Sequence, residues 1–140
     1  MLTGQLKGGK MREIKFRGFR KDIGWKYGYY YVSNHGGALR IETVHYIRPI
    51  DEEYISYGVA PETIGQYTGL KDKNGKEIYE GDILRLDEFY NLWLVEWHEA
   101  GFYIRNAPYS FDYYALEKQL AITREAIGNI YEIPELLEAK

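Results

Sequence analysis

The sequence predicts a mainly β protein, and three observations support that fold class. From Arg12 onward, apolar and polar residues alternate with a period of two over several runs, as they do in half-buried strands. Tyrosine is abundant, with 15 residues against 5 Phe, and it suits strands because its ring packs on a pleated surface while its hydroxyl reaches water. Turn-forming clusters separate the short runs, a spacing typical of a small barrel or sandwich.

Length and composition narrow the class of protein. At 140 residues the chain is long enough for one domain with its own core. It contains no cysteine, which excludes disulfides, Cys-based metal sites and a catalytic thiol. Because the chain has no apolar run of membrane-spanning length and no signal-peptide pattern, we expect a cytoplasmic protein with no membrane partner.

The domain organisation follows from where the pattern begins. Residues 1–10, MLTGQLKGGK, show no period and contain three glycines, so we expect a flexible leader there. A single domain is expected over residues 11–140. Within it, residues 11–60 would form an N-terminal β-subdomain and residues 61–140 the remaining part.

The N-terminal part contains three alternating runs. Ile14 and Phe16 share one face of the first predicted strand, and Trp25–Val32 and Leu39–Ile47 form the next two, with Ser33–Gly37 as a turn. The second run places four rings on one face, those of Trp25, Tyr27, Tyr29 and Tyr31. Rings occur on its other face as well, so we expect a loop, a second sheet or another subunit to cover both faces.

The C-terminal part is patterned more clearly. Its predicted strands are Thr63–Leu70, Lys76–Tyr79, Asp82–Asp87, Leu92–His98, Gly101–Arg105 and Ile127–Tyr131. A helix is predicted over Phe111–Gln119 with Ser110 as its N-cap, and a terminal helical turn is predicted to begin at Pro134.

The stretch TGLKDKNGKEIYEGD, residues 68–82, has the glycines and lysines of a phosphate-binding loop but not its spacing. Such a loop needs G-x-x-x-x-G-K-[S/T], whereas five residues separate Gly69 from Gly75 and Glu77 follows Lys76. The following residues also alternate like a strand rather than beginning a helix. A phosphate loop is therefore rejected.

Charge pairing predicts the register of a hairpin in this stretch. A two-residue Asn74-Gly75 loop would set like charges opposite each other. A three-residue loop pairs opposite charges and apolar residues instead, and Gly75 in the left-handed region fits a type I turn with a bulge. The pairs of this second register are Asp72–Lys76, Lys71–Glu77, Leu70–Ile78 and Gly69–Tyr79.

The carboxylates of the same stretch could hold a hard cation. Glu77, Glu80 and Asp82 lie close in sequence, but the ladder of Asp and Asn typical of calcium loops is absent, and the histidines show no ligand spacing. Solvated turn carboxylates, with Asp82 bonding the backbone after Gly81, are the favoured interpretation. We therefore predict no metal and no cofactor.

Candidate catalytic residues are few. The sequence contains no nucleophile elbow, no HExxH and no dinucleotide fingerprint. His98 lies between Glu96 and Glu99 and could form an acid–base pair, although an exposed histidine at a strand end is the commoner arrangement. The sequence therefore predicts no catalytic residues and no enzyme.

The net charge of −3 conceals a basic N-terminal third. Residues 1–48 contain ten Lys or Arg and three Asp or Glu, a balance of +7, which leaves −10 for the rest. The cations that could bind nucleic acid are Arg12, Lys15, Arg17, Arg20, Lys21 and Lys26. The favoured alternative is that this third lies beside the acidic remainder of the same or a neighbouring chain, since the whole-chain pI is about 5.7.

A five-residue pattern, E-x-I-G-[N/Q], occurs twice. It begins at Glu62 and again at Glu125, and each copy sets a glycine after an isoleucine. A bulge or a close strand crossing would favour glycine at Gly128 and at Gly65. The match is too short to indicate a duplicated domain.

Three stretches resemble the YopX family of phage and prophage proteins. They are MREIKFRGF at residues 11–19, QYTGLKDKNGKEIYEGDIL at 66–84 and AIGNIYEIPELL at 126–137. The resemblance implies a small SH3-like β-barrel built around the EGDI strand, beside an additional N-terminal β-subdomain and one or two short helices. It implies no catalytic residues, and homo-oligomers would fit the surplus of strand aromatics. Structural roles are expected for Gly69, Asp72, Asn74, Gly75, Gly81, Asp82 and Gly128.

The functional hypothesis is a phage-encoded, non-enzymatic accessory protein that binds or oligomerises. Self-association is the expected partner interaction, with a host or phage protein as a further possibility. The expected interaction surface comprises Trp25, Tyr27, Tyr29, Tyr31, Arg17, Arg20 and Lys21. The alternative is a nucleic-acid-associated protein that uses the basic N-terminal third, as base stacking on the aromatic rows would allow.

Overall fold

A computed structural model describes residues 12–86, 92–106 and 112–137, with Leu136 and Leu137 as backbone alone. The predicted leader at 1–10 and the predicted N-cap Ser110 lie outside the described residues. The strands of the described residues form two antiparallel sheets, which confirms the mainly β fold class.

The first sheet contains six strands in the order β4-β3-β2-β1-β5-β6. Their bounds are β1 Phe16–Arg20, β2 Gly24–Gly37, β3 Arg40–Pro49, β4 Tyr57–Gly58, β5 Ala60–Lys71 and β6 Glu77–Tyr79. The long β2–β3 hairpin dominates this sheet, with paired residues from Gly28↔Pro49 to Gly37↔Arg40.

The second sheet contains five strands in the order β10-β9-β8-β7-β11. Their bounds are β7 Asp82–Arg85, β8 Leu92–His98, β9 Gly101–Asn106, β10 Tyr113–Ala115 and β11 Glu125–Asn129. The chain passes between the sheets at Glu80–Gly81, so the sheet boundary does not coincide with the predicted division at residue 60. Neither order of the described strands closes on itself, and the SH3-like barrel stays a prediction.

The predicted helix over Phe111–Gln119 is wrong over most of the part that the structure describes. Tyr113–Ala115 form β10 on the edge of β9, and the helix α1 is confined to Lys118–Ala121. Pairing with β9 and stacking of the Tyr113 ring on His98, 3.8 Å between ring centroids, override the local helical pattern. A 3-10 helix follows at Pro134–Leu137, and no described helix has the length and apolarity to cross a membrane.

The predicted turn at Ser33–Gly37 is also wrong, because β2 continues as a strand to Gly37. Gly36 lies on the ladder opposite Ile41, where a Cβ atom would be 2.0 Å from the carbonyl oxygen of Arg40. The glycine therefore permits close approach of two strands, and the chain reverses only after Gly37.

The β5–β6 hairpin confirms the predicted three-residue loop. Lys71 pairs with Glu77, the amide of Gly75 donates to the Asp72 carbonyl at 3.0 Å, and Gly75 has φ of 82°. The pair predicted between Gly69 and Tyr79 is wrong, because a register shift aligns Tyr79 with Tyr67.

The principal core lies against the inner face of the second sheet. Its buried members are Ile78, Leu84, Val95, Ile104, Leu116, Ala121 and Ala126. Ile78 belongs to the first sheet and is fully buried in this cluster, so the core joins the two sheets.

Candidate functional site

A buried ion pair lies where the two sheets meet. Nη1 of Arg17 is 2.8 Å from Oδ1 of Asp82, and the two side chains are only 5% and 4% exposed. The Arg17 guanidinium also lies 4.8 Å from the Trp25 ring and 5.1 Å from the Tyr79 ring. We call these four residues the Arg17 centre. The expectation that Arg17 belongs to an exposed interaction surface is therefore wrong.

Asp82 is a buried structural acceptor rather than a solvated turn carboxylate. Its Oδ2 accepts a hydrogen bond of 2.8 Å from the amide of Tyr79, which precedes Gly81 instead of following it. Burial raises the pKa of the Asp82 carboxyl, and the nearby Arg17 guanidinium opposes that rise. The ion pair and the backbone bond together fix the start of β7.

Asp72 connects the β5–β6 hairpin to the second sheet. Its Oδ1 accepts from the amides of Asn74 at 2.8 Å and Lys76 at 2.9 Å, while Oδ2 accepts from the amide of Ala126 at 2.8 Å. Burial would raise the pKa of this carboxyl, but the three donated hydrogen bonds outweigh burial and lower it. A residue predicted for its role in a turn therefore also joins the turn to β11.

In the predicted row of aromatic residues, one of the four rings is largely covered and the other three are exposed. The Trp25 indole donates to Oε1 of Glu132 at 2.6 Å, and the Tyr27 ring packs edge-on against Tyr79. Farther along β2, Tyr29 is 49% exposed and Tyr31 is 43% exposed. Tyr27 is itself 46% exposed despite that contact, so of the four rings only that of Trp25 is largely covered within the chain.

The distal part of the β2–β3 hairpin, residues 31–44, is a two-stranded ribbon that we call the arm. β1 pairs with β2 no farther than Gly28, and β4 pairs with β3 only at Tyr46 and Ile47. Among the described strands, the arm therefore has no third strand on either edge. At ~3.3 Å per residue the ribbon is about 20 Å long.

The arm exposes three large aliphatic side chains. Leu39 at the turn is fully exposed, Ile41 is 73% exposed and Val32 is 46% exposed. The register places Val32 and Ile41 on the same face of the ribbon as the fully buried Ile47. The core-facing side of the hairpin thus continues into a face on which Val32 and Ile41 are exposed.

Cross-strand side-chain contacts stabilise the arm. On the face opposite Ile41, the rings of Tyr31 and Tyr46 stack across the strands at 5.1 Å, and His35 shares a hydrogen bond of 3.0 Å with Tyr46. On the face of Ile41, the Thr43 hydroxyl donates to the Asn34 side chain at 2.8 Å. The arm therefore presents one face of packed rings and one face on which its exposed aliphatic side chains lie.

Half of the cations proposed for nucleic-acid binding are paired with carboxylates. Lys15 lies 2.7 Å from Glu77, and Arg20 lies 2.7 Å from Asp22, in addition to the Arg17 pair. Lys26 lies over the Tyr57 ring at 4.3 Å, whereas Lys21 and Arg12 are exposed. Three of the six candidate cations therefore have carboxylate partners in the same chain, and two of those partners come from the acidic remainder.

His98 lies near Glu99, one of the two carboxylates considered for an acid–base pair, but beyond hydrogen-bonding distance. Its ring stacks on Tyr113, and its Nε2 is 3.9 Å from the Glu99 carboxylate, while Glu96 pairs with Arg105 at 2.7 Å. Within the described ranges, no group of three or more His, Asp or Glu could hold a metal ion.

Comparison with known proteins places this fold in a family. A family model described as YopX protein matches residues 15–138. The chain belongs to the YopX family. The crystal structure of protein EF1440 from Enterococcus faecalis is similar with a TM-score of 0.51 and 23% identity, over 91% of this chain and 100% of that chain. That likeness concerns the fold alone, and no curated protein matches.

In this YopX-family protein, the three stretches that resemble the family meet at the Arg17 centre. Arg17 comes from the first stretch and Asp82 from the second. The third contributes Tyr131, whose ring is 6.2 Å from that of Trp25. The three stretches therefore meet at the junction of the two sheets, while the arm lies outside all of them.

Proposed function

We propose that the protein is a phage-encoded, non-enzymatic binding module that acts in the host cytoplasm and self-associates through its arm. The observation that carries this proposal is the arm itself, a ribbon whose two edges pair with no other described strand and whose core-side face exposes Val32 and Ile41. YopX family membership supports the phage origin. The stacked His98 and the buried Arg17 pair support a structural rather than a catalytic role for the conspicuous polar residues.

General properties of β-strands favour the pairing of another strand with an edge of the arm. An isolated two-stranded hairpin is marginally stable in water, and an exposed strand edge is a template for pairing with another chain. Adding a strand supplies main-chain hydrogen bonds, while Val32 and Ile41 supply apolar area that a partner can bury. The arm therefore gains stability from a partner that presents a complementary edge.

A second copy of the chain fits the β3 edge by charge and by symmetry. If two β3 strands pair antiparallel about a two-fold axis at Ile41, each Arg40 lies opposite the Glu42 of the other copy. Directly opposite residues share a face, so the arrangement forms two opposite-charge pairs around a central Ile41–Ile41 contact. The arm's only Lys, Arg, Asp and Glu residues are Arg40 and Glu42, so these pairs use all its fixed charge.

A charge exchange tests this register. We expect Glu42→Arg to weaken self-association about tenfold, because each Arg40 then faces an arginine of the other copy. The double variant Arg40→Glu with Glu42→Arg restores the two attractive pairs and should restore association. Sedimentation velocity over a wide range of protein concentration measures both, with Ile14→Lys as a control at an exposed isoleucine outside the arm.

Two results would overturn the proposal. One is a wild-type protein that remains monomeric at every concentration. The other is a double variant that associates as weakly as Glu42→Arg, because the register would then be incorrect.

A further inference from the structure

A second site lies on the second sheet, beside the helix α1. A cavity of about 220 Å³ is lined by Trp93, Ile104, Tyr114, Leu120 and Arg124. Four of these five side chains are apolar or aromatic, and the fifth is a cation that is only 7% exposed. A buried arginine in the wall of an apolar cavity needs an explanation, because burying a charge is costly unless an opposite charge accompanies it.

Arg124 makes contacts that satisfy only part of its guanidinium. Its Nη1 donates to the Leu120 carbonyl at 3.2 Å and to the Thr123 hydroxyl at 3.1 Å, and its Cζ lies 5.2 Å from the Trp93 ring. No carboxylate of the described residues pairs with it, in contrast to Arg17 and Asp82. Burial lowers the pKa of the Arg124 guanidinium, as expected for a cation without a counter-ion.

Two further donors at the cavity lack acceptors. Nε of Arg124 and Nε1 of the Trp93 indole are buried, and neither has a hydrogen-bond partner in the described part of the chain. Both residues line the same cavity. The residues that line the cavity therefore include one cation and no carboxylate, and two of their buried N–H groups have no acceptor among the described residues.

We propose that this cavity is a binding site for a carboxylate carried on a compact apolar group, with Arg124 as the residue that pairs with the carboxylate. Guanidinium and carboxylate form charge-assisted, often bidentate hydrogen bonds, which suits an anion of planar shape. The rings of Trp93 and Tyr114, 5.8 Å apart, and the side chains of Ile104 and Leu120 would cover the apolar group.

The size of the cavity limits the ligand. At ~30 Å³ for each water, 220 Å³ corresponds to about seven waters, which excludes a nucleotide or a long lipid chain from full enclosure. A small aromatic or branched aliphatic acid fits, and so does the last residue of a peptide with a free C-terminal carboxylate. These two sources share one recognition chemistry.

Benzoate is a suitable probe, and its uncharged isostere benzamide is the matched control. The chain has 3 Trp, so its indole N–H signals in a nitrogen–proton correlation spectrum are few, and Trp93→Phe assigns the signal of interest. We expect benzoate to shift the Trp93 signal saturably, with affinity at least about tenfold above that of benzamide. Equal shifts with the two compounds, or no saturable shift with benzoate, would overturn the proposal.

Two variants test whether Arg124 is the cation that binds benzoate. Arg124→Met keeps the length of the side chain and should abolish the benzoate-induced shift. Arg85→Met removes another arginine of the second sheet, whose side chain is 40% exposed and pairs with Glu125, and it should leave the shift unchanged. Loss of binding in both variants would overturn the assignment to Arg124. The comparison of benzoate with benzamide needs no variant, so it tests the preference of the cavity for a carboxylate even if Arg124→Met fails to fold.

The two sources of the carboxylate are then distinguished by a short peptide ending in leucine. Tighter binding of the free-acid peptide than of both benzoate and the same peptide with a C-terminal amide would assign the site to peptide C-termini. Tighter binding of benzoate would assign it to small acids. Either result supports the cavity as a carboxylate site, whereas tighter binding of the amidated peptide than of the acid would contradict it.

Discussion

Arg17→Met is expected to lower the free energy of unfolding by about 3–5 kcal/mol, the largest effect of any single change considered. The substitution leaves Asp82 as a buried carboxylate without its counter-ion, at a position where the side chain is 4% exposed. It also removes the cation that lies close to the rings of Trp25 and Tyr79. Chemical denaturation followed by tryptophan fluorescence measures the loss.

The double variant Arg17→Met with Asp82→Asn separates charge from packing. The amide oxygen of the introduced asparagine can still accept from the Tyr79 amide, and no unpaired charge remains, so we expect the double variant to be more stable than Arg17→Met alone. Because burial raises the pKa of Asp82, the deficit of Arg17→Met should grow as the pH rises above ~4, where the unfolded carboxyl ionises. Equal destabilisation of the single and double variants at neutral pH would contradict this explanation.

Asp72→Asn is expected to cost about 3 kcal/mol, because the carboxylate accepts three amide hydrogen bonds and an amide side chain cannot accept them all. At least one of the donating N–H groups would face the NH₂ group instead. The matched control is Asp22→Asn, at a side chain that is 68% exposed, where we expect a change within about 0.5 kcal/mol.

The destabilisation caused by Asp72→Asn should depend on pH in one direction. The folded-state pKa of Asp72 is lowered, so its contribution is complete above the unfolded value of ~3.9 and is lost as the pH falls through the folded value. The difference between wild type and Asp72→Asn should therefore stay constant from neutral pH to about 5 and shrink below about 4. A difference that grew on acidification would show that the carboxylate is not the stabilising form.

Local chemistry in the sequence was sufficient to predict the β5–β6 turn. The charges of Lys71 and Glu77 and the glycine at position 75 select one loop length, and all three lie within a few residues of one another. The same local reasoning fails beyond the loop, where the register shifts between Tyr67 and Lys71 and the Thr68 hydroxyl donates a hydrogen bond to the Ile78 carbonyl. Register can be predicted only as far as its determinants are local.

The environment of Arg17 could not be predicted from alternation, because a charged residue in an alternating run is typical of a solvent-exposed face. Its partner Asp82 is distant in sequence, and only the pairing of β1 with β5 brings the two together. The sequence did contain residue types that could form a buried ion pair. The motif stretches include an arginine, an aspartate and several aromatic rings that could cover such a pair. Sequence reasoning missed Arg124 for the same reason, since its isolation from carboxylates is a property of the fold.

The sequence did not predict the length of the β2–β3 hairpin, because glycine occurs both in turns and where two strands approach closely. Ser33–Gly37 contains the residues of a turn, yet the two glycines lie on the ladder opposite Arg40 and Ile41. Close approach of the strands and chain reversal both favour glycine, and a single sequence does not distinguish them. We propose the distal ribbon as the self-association surface, and it includes Tyr31 of the predicted aromatic row.

The most direct test of the self-association account uses the absence of native cysteine. In the proposed two-fold pairing of β3 strands, the two Ile41 residues are directly opposite, at a Cα separation of about 4.5–5.5 Å, which a disulfide can span. Ile41→Cys should therefore form a covalent dimer on mild oxidation, while Ile14→Cys, at another exposed isoleucine outside the arm, should remain a monomer on a non-reducing gel. An Ile41→Cys protein that stays monomeric, or an equal dimer yield from both variants, would contradict the account.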